Sequence, residues 1–528
     1  MSKIKLINVS KSFGEKKLFE IDNLEILEGQ KIGIVGKNGT GKSTFLNIIA
    51  NQTQADTGKI ETKGKISYIN QLDNIEENRF SKISGGEKML EIIKNKSKEN
   101  PDILLADEPS TNLDIFNVQY LIKQLKEYKG ILLIISHDRN VLDSICDYII
   151  EIENGCIKKY KGNYTDYKMQ KNMEKERKKF EYSQYIREKE RLQKAIIGSK
   201  NNEKSIKKAP KRMGNSEARL HKREATERRE KLEQHSKALE TRLKQLQEKE
   251  KPEKEYSIYF QIPENLKIRS REIIKSDKFS LTIQGKQLLV DTKFYIPTNK
   301  KIAIIGKNGV GKTSFIRRII NKDEQININP QARIGYFSQK LDNLDENSNV
   351  LENVIKDSIQ DERTVRNILA SLNLKDNKVY DNVKDLSGGE KVKVALAKIL
   401  VSNANLLILD EPTNFLDIES IEGLENLIKA YTGTVLVISH DKDFIDNVCD
   451  NIILIEDKNI KQYEGNYSQY LTLSQNSKNK KNISNDKMLL EFKLTKLDSE
   501  ISLSKDEQEK QCVYMPLFYM RGGINYKF

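Results

Sequence analysis

Two stretches of this 528-residue chain have the glycine spacing that lets a backbone wrap around a phosphate. Gly36-Lys37-Asn38-Gly39-Thr40-Gly41-Lys42-Ser43 follows an apolar run from Lys31 to Val35 and precedes an apolar helical run from Phe45 to Ala50. Gly306-Lys307-Asn308-Gly309-Val310-Gly311-Lys312-Thr313 repeats it. Glycine brings main-chain N–H groups closer to a phosphate than a side chain allows, and the helix N-terminus adds its dipole. In such a loop Lys42 and Lys312 reach the β and γ phosphates, and Ser43 and Thr313 coordinate Mg²⁺. Thr44 and Ser314 stand next in line on the same helices. The ligand implied is ATP with Mg²⁺.

Each half also carries a buried-strand pattern ending in two acids, Ile103 to Glu108 and Leu406 to Glu411. An apolar strand does not hold two ionised carboxylates at its tip unless a cation or a reaction uses them. Asp107 and Asp410 are the candidate Mg²⁺ ligands. Glu108 and Glu411 are the candidates that polarise the attacking water. A further apolar strand delivers Ser136-His137-Asp138, and its repeat delivers Ser439-His440-Asp441. Those histidines read as γ-phosphate contacts, the alternative being polar strand caps. Between loop and acids lie Ser84-Gly85-Gly86-Glu87 and Ser387-Gly388-Gly389-Glu390, weak signals alone.

The order of these motifs is the same in both halves, which makes the chain a tandem repeat. Gly36 and Gly306 are 270 apart, and Gln71 and Gln339 are 268 apart, but the later motifs are all offset by 303. The first half therefore lacks 35 residues between Gln71 and Ser84, where it has only twelve. The second half has room for a helical subdomain around Asn349 to Tyr380, and the first must have a stripped one.

The elements that position these residues are strand–loop–helix units of an α/β fold. Between the halves, Tyr160 to Glu255 interleaves charges with apolar residues at helical spacing: Phe180, Tyr185, Leu192 and Ile196, then Leu220, Leu232, Leu239, Leu243 and Leu246. That predicts two helices of about 35 residues doubling back as an antiparallel pair about 50 Å long. Gly198, Pro210 and Gly214 mark the region of the turn, between Gly198 and Arg223. From Arg191 to Arg223 there are eleven Lys or Arg against Glu203 and Glu217, a net +9 in 33 residues. The whole chain is +14 with a pI near 9.1, so this tip holds most of the excess. Such a cluster, including Lys200, Lys204, Lys207, Lys208, Lys211, Arg212, Arg219, Lys222 and Arg223, suits a phosphate-rich partner.

Four cysteines without a CxxC pair make neither a disulfide framework nor a zinc site, and Cys146 and Cys449 occupy matching positions as small core residues. The opening Met-Ser-Lys-Ile-Lys runs straight into a strand pattern, and no apolar run approaches the length of a spanning helix. A cytoplasmic location is the expectation, without a membrane. The domain division is 1–159 for a first ATPase domain, 160–255 for the linker, 256–475 for a second ATPase domain, and 476–528 for a C-terminal extension. Lys487 to Leu503 reads as an amphipathic helix, and Cys512 to Phe528 has no acid.

Taken together, the motifs resemble those of the ABC ATPase superfamily. The resemblance makes Gln71 and Gln339 the glutamines that sense Mg²⁺ and the γ-phosphate, and Ser110 to Asp114 a D-loop. It makes Phe13 the adenine-stacking aromatic, a core phenylalanine being the alternative. Ile283 holds the corresponding place, 23 residues before the second loop, which puts stacking there in doubt. ABC domains bind ATP head to tail. One composite site would therefore join Lys42, Ser43, Gln71, Asp107, Glu108 and His137 to Ser387, Gly388 and Gly389. The other would join Lys312, Thr313, Gln339, Asp410, Glu411 and His440 to Ser84, Gly85 and Gly86. Neither set is degenerate.

Two tandem ABC domains joined by a basic antiparallel helical (coiled-coil) linker are similar to the ABC-F family over residues 1 to about 475. The marks are Asp-Glu-Pro-Ser-Thr-Asn-Leu-Asp from Asp107, Asp-Glu-Pro-Thr-Asn-Phe-Leu-Asp from Asp410, Gly-Asn-Tyr-x-x-Tyr at Gly162 and Gly465, and Ser216-Glu217-Ala218-Arg219-Leu220. The resemblance implies a monomer with an intramolecular domain dimer that binds the E site of the 70S ribosome, touches 23S rRNA of the large subunit, and points its linker at P-site tRNA. The short first domain leaves no room for the arm found in housekeeping members. This is similar to the Vga-, Lsa- and Msr-like antibiotic-resistance branch, with lincosamides, pleuromutilins and streptogramin A as the implied drugs. A housekeeping translation or ribosome-assembly ATPase, the ATPase subunit of a drug exporter, and a DNA repair ATPase are the rival readings.

Overall fold

The computed structural model describes residues 3–14, 16–70, 85–111, 113–205, 215–249, 251, 260, 266–338, 341 and 343–474. In the first cassette the strands Lys31–Val35, Ile103–Asp107, Ile131–Ile135 and Ile66–Ile69 run parallel. The first three are apolar along nearly their whole length because helices cover both faces of the sheet. Lys3–Phe13, Lys16–Leu27 and Thr57–Lys63 form its antiparallel wing, and the whole is one nine-stranded sheet. Glu20 pairing with Cys156 joins wing to core.

The second cassette divides into a three-stranded wing and a six-stranded core. The core holds Lys301–Ile305, Leu406–Asp410 and Thr434–Ile438 in the same parallel order. Here Val290 N–H donates to Lys458 O at 3.1 Å, as Glu20 N–H does to Gly155 O in the first cassette, and Gln462 bonds the main chain of Tyr295, but the two parts are not paired as one sheet. The length difference falls where the offsets put it. Helices Val350–Ile355 and Glu362–Ser371 and the 3-10 turn Asp376–Tyr380 occupy the extra 35 residues of the second half.

The two cassettes interlock reciprocally. Ile115 of the first is buried in a cluster of second-cassette side chains that includes Tyr467. Ile418 of the second is buried in a first-cassette cluster that includes Tyr164. Cys146 and Cys449 are buried, as their matching positions imply.

The linker is an antiparallel helix pair, Tyr164–Ser205 and Asn215–Gln245. The ion pairs Glu181–Lys249 (3.2 Å) and Glu188–Arg242 (3.3 Å), with Ser199 Oγ donating to Leu232 O (3.1 Å), set its register. Leu192 and Ile196 are buried in the seam, and Leu232, Leu239 and Leu243 are half-buried in it. Four expectations need correction. The first helix has 42 residues, about 63 Å at 1.5 Å per residue, so the arm is longer than the sequence pattern implies. Gly198 lies inside that helix and does not break it, because one glycine costs a helix only about 1 kcal/mol. Phe180 faces out, 62% exposed, and is not part of the seam. Tyr160 also belongs to the strand Cys156–Lys161, so the arm starts just after it. Lys207, Lys208, Lys211, Arg212, Pro210, Gly214 and the helix expected over Lys487 to Leu503 lie outside the described residues.

Candidate functional site: two nucleotide pockets in one cleft

Each P-loop folds as its glycines require. Gly36, Gly39 and Gly41 have positive φ, as do Gly306, Gly309 and Gly311. A Cβ on Gly36 would sit 2.5 Å from Ile152 O, and one on Gly306 2.7 Å from Ile455 O. Lys42 Nζ donates to Gly36 O (2.8 Å) and Lys37 O (3.1 Å), and Lys312 does the same to Gly306 O and Lys307 O. Both ammonium groups are buried, which pulls their pKa down against the pull of nearby carboxylates. A phosphate would supply the missing counter-charge.

The strand tips bring the acids to the same place. Ser43 hydrogen-bonds Asp107, and Thr313 Oγ1 donates to Asp410 Oδ1 at 3.5 Å. Among the described residues no cluster of three potential metal-ligating side chains exists. A hydroxyl and a carboxylate are what Mg²⁺ needs when phosphates and water complete its shell. Glu108 and Glu411 have φ of 50° and 51°, a strained conformation for a residue with a side chain and one often found at working sites. Burial, with the neighbouring aspartate, pushes Glu108 up to about 8 and Glu411 to about 7. The backbone N–H groups of His137 and His440 each donate to the glutamate at 3.3 Å. The imidazole Nε2 atoms lie 3.5 and 3.2 Å from Glu108 Oε1 and Glu411 Oε1. Burial, then the P-loop lysine, lowers both histidines to about 3, so the rings are neutral. Glu108 Oε1 is buried with no hydrogen-bond partner, on a residue that lines the cleft.

The two cassettes close one cavity of about 1400 Å³ over both loops. Its walls include Phe13, Asn38, Gly39, Gly41, Lys42, Ser43, Thr44, Asp107, Glu108 and His137 of the first cassette, facing Ser387 and Gly389 of the second. They also include Ile283, Asn308, Gly309, Gly311, Lys312, Thr313, Ser314, Asp410, Glu411 and His440. Asn38 Nδ2 donates to Phe415 O at 2.8 Å, and a Cβ on Gly389 would lie 2.9 Å from that amide nitrogen. Ser387 and Glu390 form a capping box that starts the helix Gly388–Leu400. Gly85 and Gly86 open the matching helix Gly85–Lys98. Gln71, Gln339 and Ser84 lie outside the described residues. Phe13 is 63% exposed at the cleft, which removes the core alternative, and Ile283 is 36% exposed at the matching place.

Sequence reasoning missed several contributors. Leu18 and Leu288 line the cleft beside Phe13 and Ile283. Asp114, already named as the end of a D-loop, and Asp417 reach across it in a contact no motif stated, each accepting a P-loop N–H from the other cassette. Their signal was present, since an aspartate directly before an apolar helical run is an N-cap pattern. Lys393 and Arg139, also important at the interface, gave no motif. In the linker, Lys200 is paired with Glu240 (2.7 Å) and Arg223 with Glu227 (3.2 Å), both exposed; Lys204 is exposed. Arg219 and Lys222 lie in the helix Asn215–Gln245.

Two P-loops, each with an acid pair and a histidine, set in head-to-tail α/β cassettes, define a tandem ABC-type ATPase. The ABC transporter family model matches residues 19–74 and 289–414. The erythromycin resistance ATP-binding protein MsrA of Staphylococcus epidermidis is 34% identical over 476 residues, covering 85% of this chain and 96% of that protein. The ribosome protection protein VmlR of Bacillus subtilis is 30% identical over 486 residues, covering 87% and 88%. The chain belongs to the ABC-F family, and its similarity runs to the antibiotic-resistance branch of that family. An archaeal ribosome recycling factor, aABCE1, solved in complex with stalk protein aP1, shares the fold with a TM-score of 0.57 at 20% identity over 87% of this chain and 90% of that one. The RNase-L inhibitor does so with a TM-score of 0.58 at 19% identity, over 89% and 92%. Among the described residues no helix is long and apolar enough to cross a membrane.

Proposed function

We propose that this ATPase protects the ribosome from antibiotics that bind the peptidyl transferase centre. Its cassettes would occupy the E site against 23S rRNA, and its arm would reach toward P-site tRNA. The observation that carries this is the 42-residue helix, rooted where the two cassettes meet through Tyr164 and Lys168 and leading into a segment of net charge +9. An arm that long with a basic end suits a deep, phosphate-lined site. The names of MsrA and VmlR support the same reading. A cytoplasmic location goes with it.

The paired sites would be Lys42, Ser43, Asp107, Glu108 and His137 with Ser387 to Gly389, and Lys312, Thr313, Asp410, Glu411 and His440 with Ser84 to Gly86. Bound ATP supplies, through its γ-phosphate and Mg²⁺, the charge that draws P-loop to opposite signature. Closure moves the arm toward the drug site. Glu108 and Glu411 orient water and take up proton density, and His137 and His440 hold them in place by main-chain N–H groups. Loss of the γ-phosphate removes the bias toward the closed state, and the factor leaves.

The test is co-sedimentation of the E108Q/E411Q variant with 70S ribosomes, with and without ATP, at two salt concentrations. ATP-dependent pelleting weakened by salt is expected, and a supernatant protein under all conditions would sink the proposal. Resistance assays would use lincosamides, pleuromutilins and streptogramin A, with erythromycin added because of the MsrA name. A housekeeping ABC-F factor is the second reading, because two complete ATP sites and a basic arm would serve it equally well. Ribosome binding without any resistance phenotype would select it.

A further inference from the structure

The two pockets match in P-loop, acid pair and histidine; besides Ile283 in the place of Phe13, they differ behind one aspartate. Asp417 Oδ2 accepts the N–H of Asn38 at 3.4 Å, and Asp114 Oδ2 accepts the N–H of Asn308 at 3.0 Å. Each also caps its own helix, Asp417 through Ser420 N–H and Asp114 through Asn117 N–H, both at 2.9 Å. Asp417 has one more partner. Lys393 Nζ donates to its Oδ2 at 3.0 Å, and the two side chains are 5% and 4% exposed. The residue 303 positions before Lys393 is Leu90, in the helix after the first signature, and it packs on the first cassette's apolar core. The carboxylate facing the Lys42 pocket is thus neutralised, and the one facing the Lys312 pocket gets no lysine from the matching place.

The consequence for an anionic ligand is direct. A bare carboxylate at a closed, low-dielectric interface repels a polyphosphate, and a buried ion pair does not. Lys393 and Asp417 are felt by Lys42 and His137 across the interface. We infer that Lys393 makes the two ATP sites unequal: the Lys42 site retains its nucleotide and the Lys312 site exchanges it. Lys393 is a positioning residue that acts through Asp417. The inference rests on the cross-cassette pairing of sites proposed above.

The experiment follows release of a fluorescent ATP analogue by stopped flow from the full-length E108Q/E411Q protein. Adding K312A leaves the Lys42 site to be read, and adding K42A leaves the Lys312 site. Release from the Lys42 site is expected to be slower by about tenfold or more, as for a buried charge pair that governs dissociation. K393M should abolish that difference by speeding the Lys42 site alone, K393R should restore it, and L90K should slow the Lys312 site. Equal release from both sites, or faster release from the Lys42 site, overturns the inequality. An effect of K393M confined to the Lys312 site overturns the pairing of sites itself. An equal effect on both sites that K393R does not reverse reduces Lys393 to a packing role and also overturns the inference.

Discussion

Arg139 of the first cassette and Glu425 of the second form an ion pair across the interface, each side chain 8% exposed. Glu422 sits near the same guanidinium and also binds Lys168, at the root of the arm beside Tyr167. By the offset of 303, Arg139 corresponds to Lys442 and Glu425 to Ile122, so this bridge exists on one side of the pseudo-symmetric pair. Removing the arginine would leave a buried carboxylate uncompensated. R139M should destabilise the folded chain by about 3–5 kcal/mol in urea unfolding. The double variant R139M/E425M should recover much of that loss, since buried pairs replaced by apolar residues are often neutral. A double variant no more stable than R139M would refute a specific pair.

The P-loop glycines give a sharper test of the pockets. A Cβ at position 36 would meet the carbonyl of Ile152 at 2.5 Å, main chain that cannot step aside cheaply. G36A should displace the loop and lower turnover at the Lys42 site about 100-fold, the cost of roughly 1 Å of misplacement. Circular dichroism should be unchanged. Wild-type nucleotide binding by G36A, measured by equilibrium dialysis in a K312A background, would argue against this loop as a phosphate cradle.

Glu390 links the second signature to acid stability. Burial would raise its pKa, but Lys378 and Ser387 outweigh that and hold it at about 2. Its folded value lies below the ordinary 4.5, so its stabilising contribution is present above about pH 4.5 and is lost as the pH falls toward 2. The variant E390Q should flatten the loss of stability over that window, read as the midpoint of thermal unfolding between pH 5 and pH 3. Parallel curves for both proteins would show that Glu390 contributes no linkage.

The arm's basic end should govern salt dependence. Replacing Lys200, Lys204 and Arg223 by Gln should weaken ATP-dependent ribosome binding. It should lower the slope of log K against log salt by roughly 0.7–0.9 for each phosphate that is no longer neutralised. An unchanged slope would place the phosphate-binding residues elsewhere.

Much of the site was legible because its chemistry demands fixed residue types at short range. A phosphate loop, an acid pair at a strand tip and a histidine after the next strand each lie within a few residues of the element that holds them. The offset of 303 locates the helical subdomain of the second half from numbering alone, since insertions shift numbering but leave core strands in place. What stayed hidden were pairs joined only by tertiary packing. Lys393 with Asp417 and Arg139 with Glu425 have no local signature, because separations of 24 and 286 residues carry no periodic signal. The length of the arm escapes the sequence for the opposite reason: glycine is a local breaker signal, and its energy is too small to stop a long packed helix.

Gly198 makes that last point measurable. It lies within the helix Tyr164–Ser205, and a Cβ placed on it would meet nothing within 4 Å. Glycine inside a helix forfeits backbone entropy that alanine does not, at a cost of about 0.5–1 kcal/mol. G198A should therefore stabilise the arm by that amount, read as slower amide exchange across residues 192–205 and unchanged cassette stability. If the glycine instead serves as a bending point when the cassettes close, G198A would keep the added helix stability and lose resistance. Equal resistance with slower exchange is the expected result, because the added methyl group enters open space and displaces no neighbour.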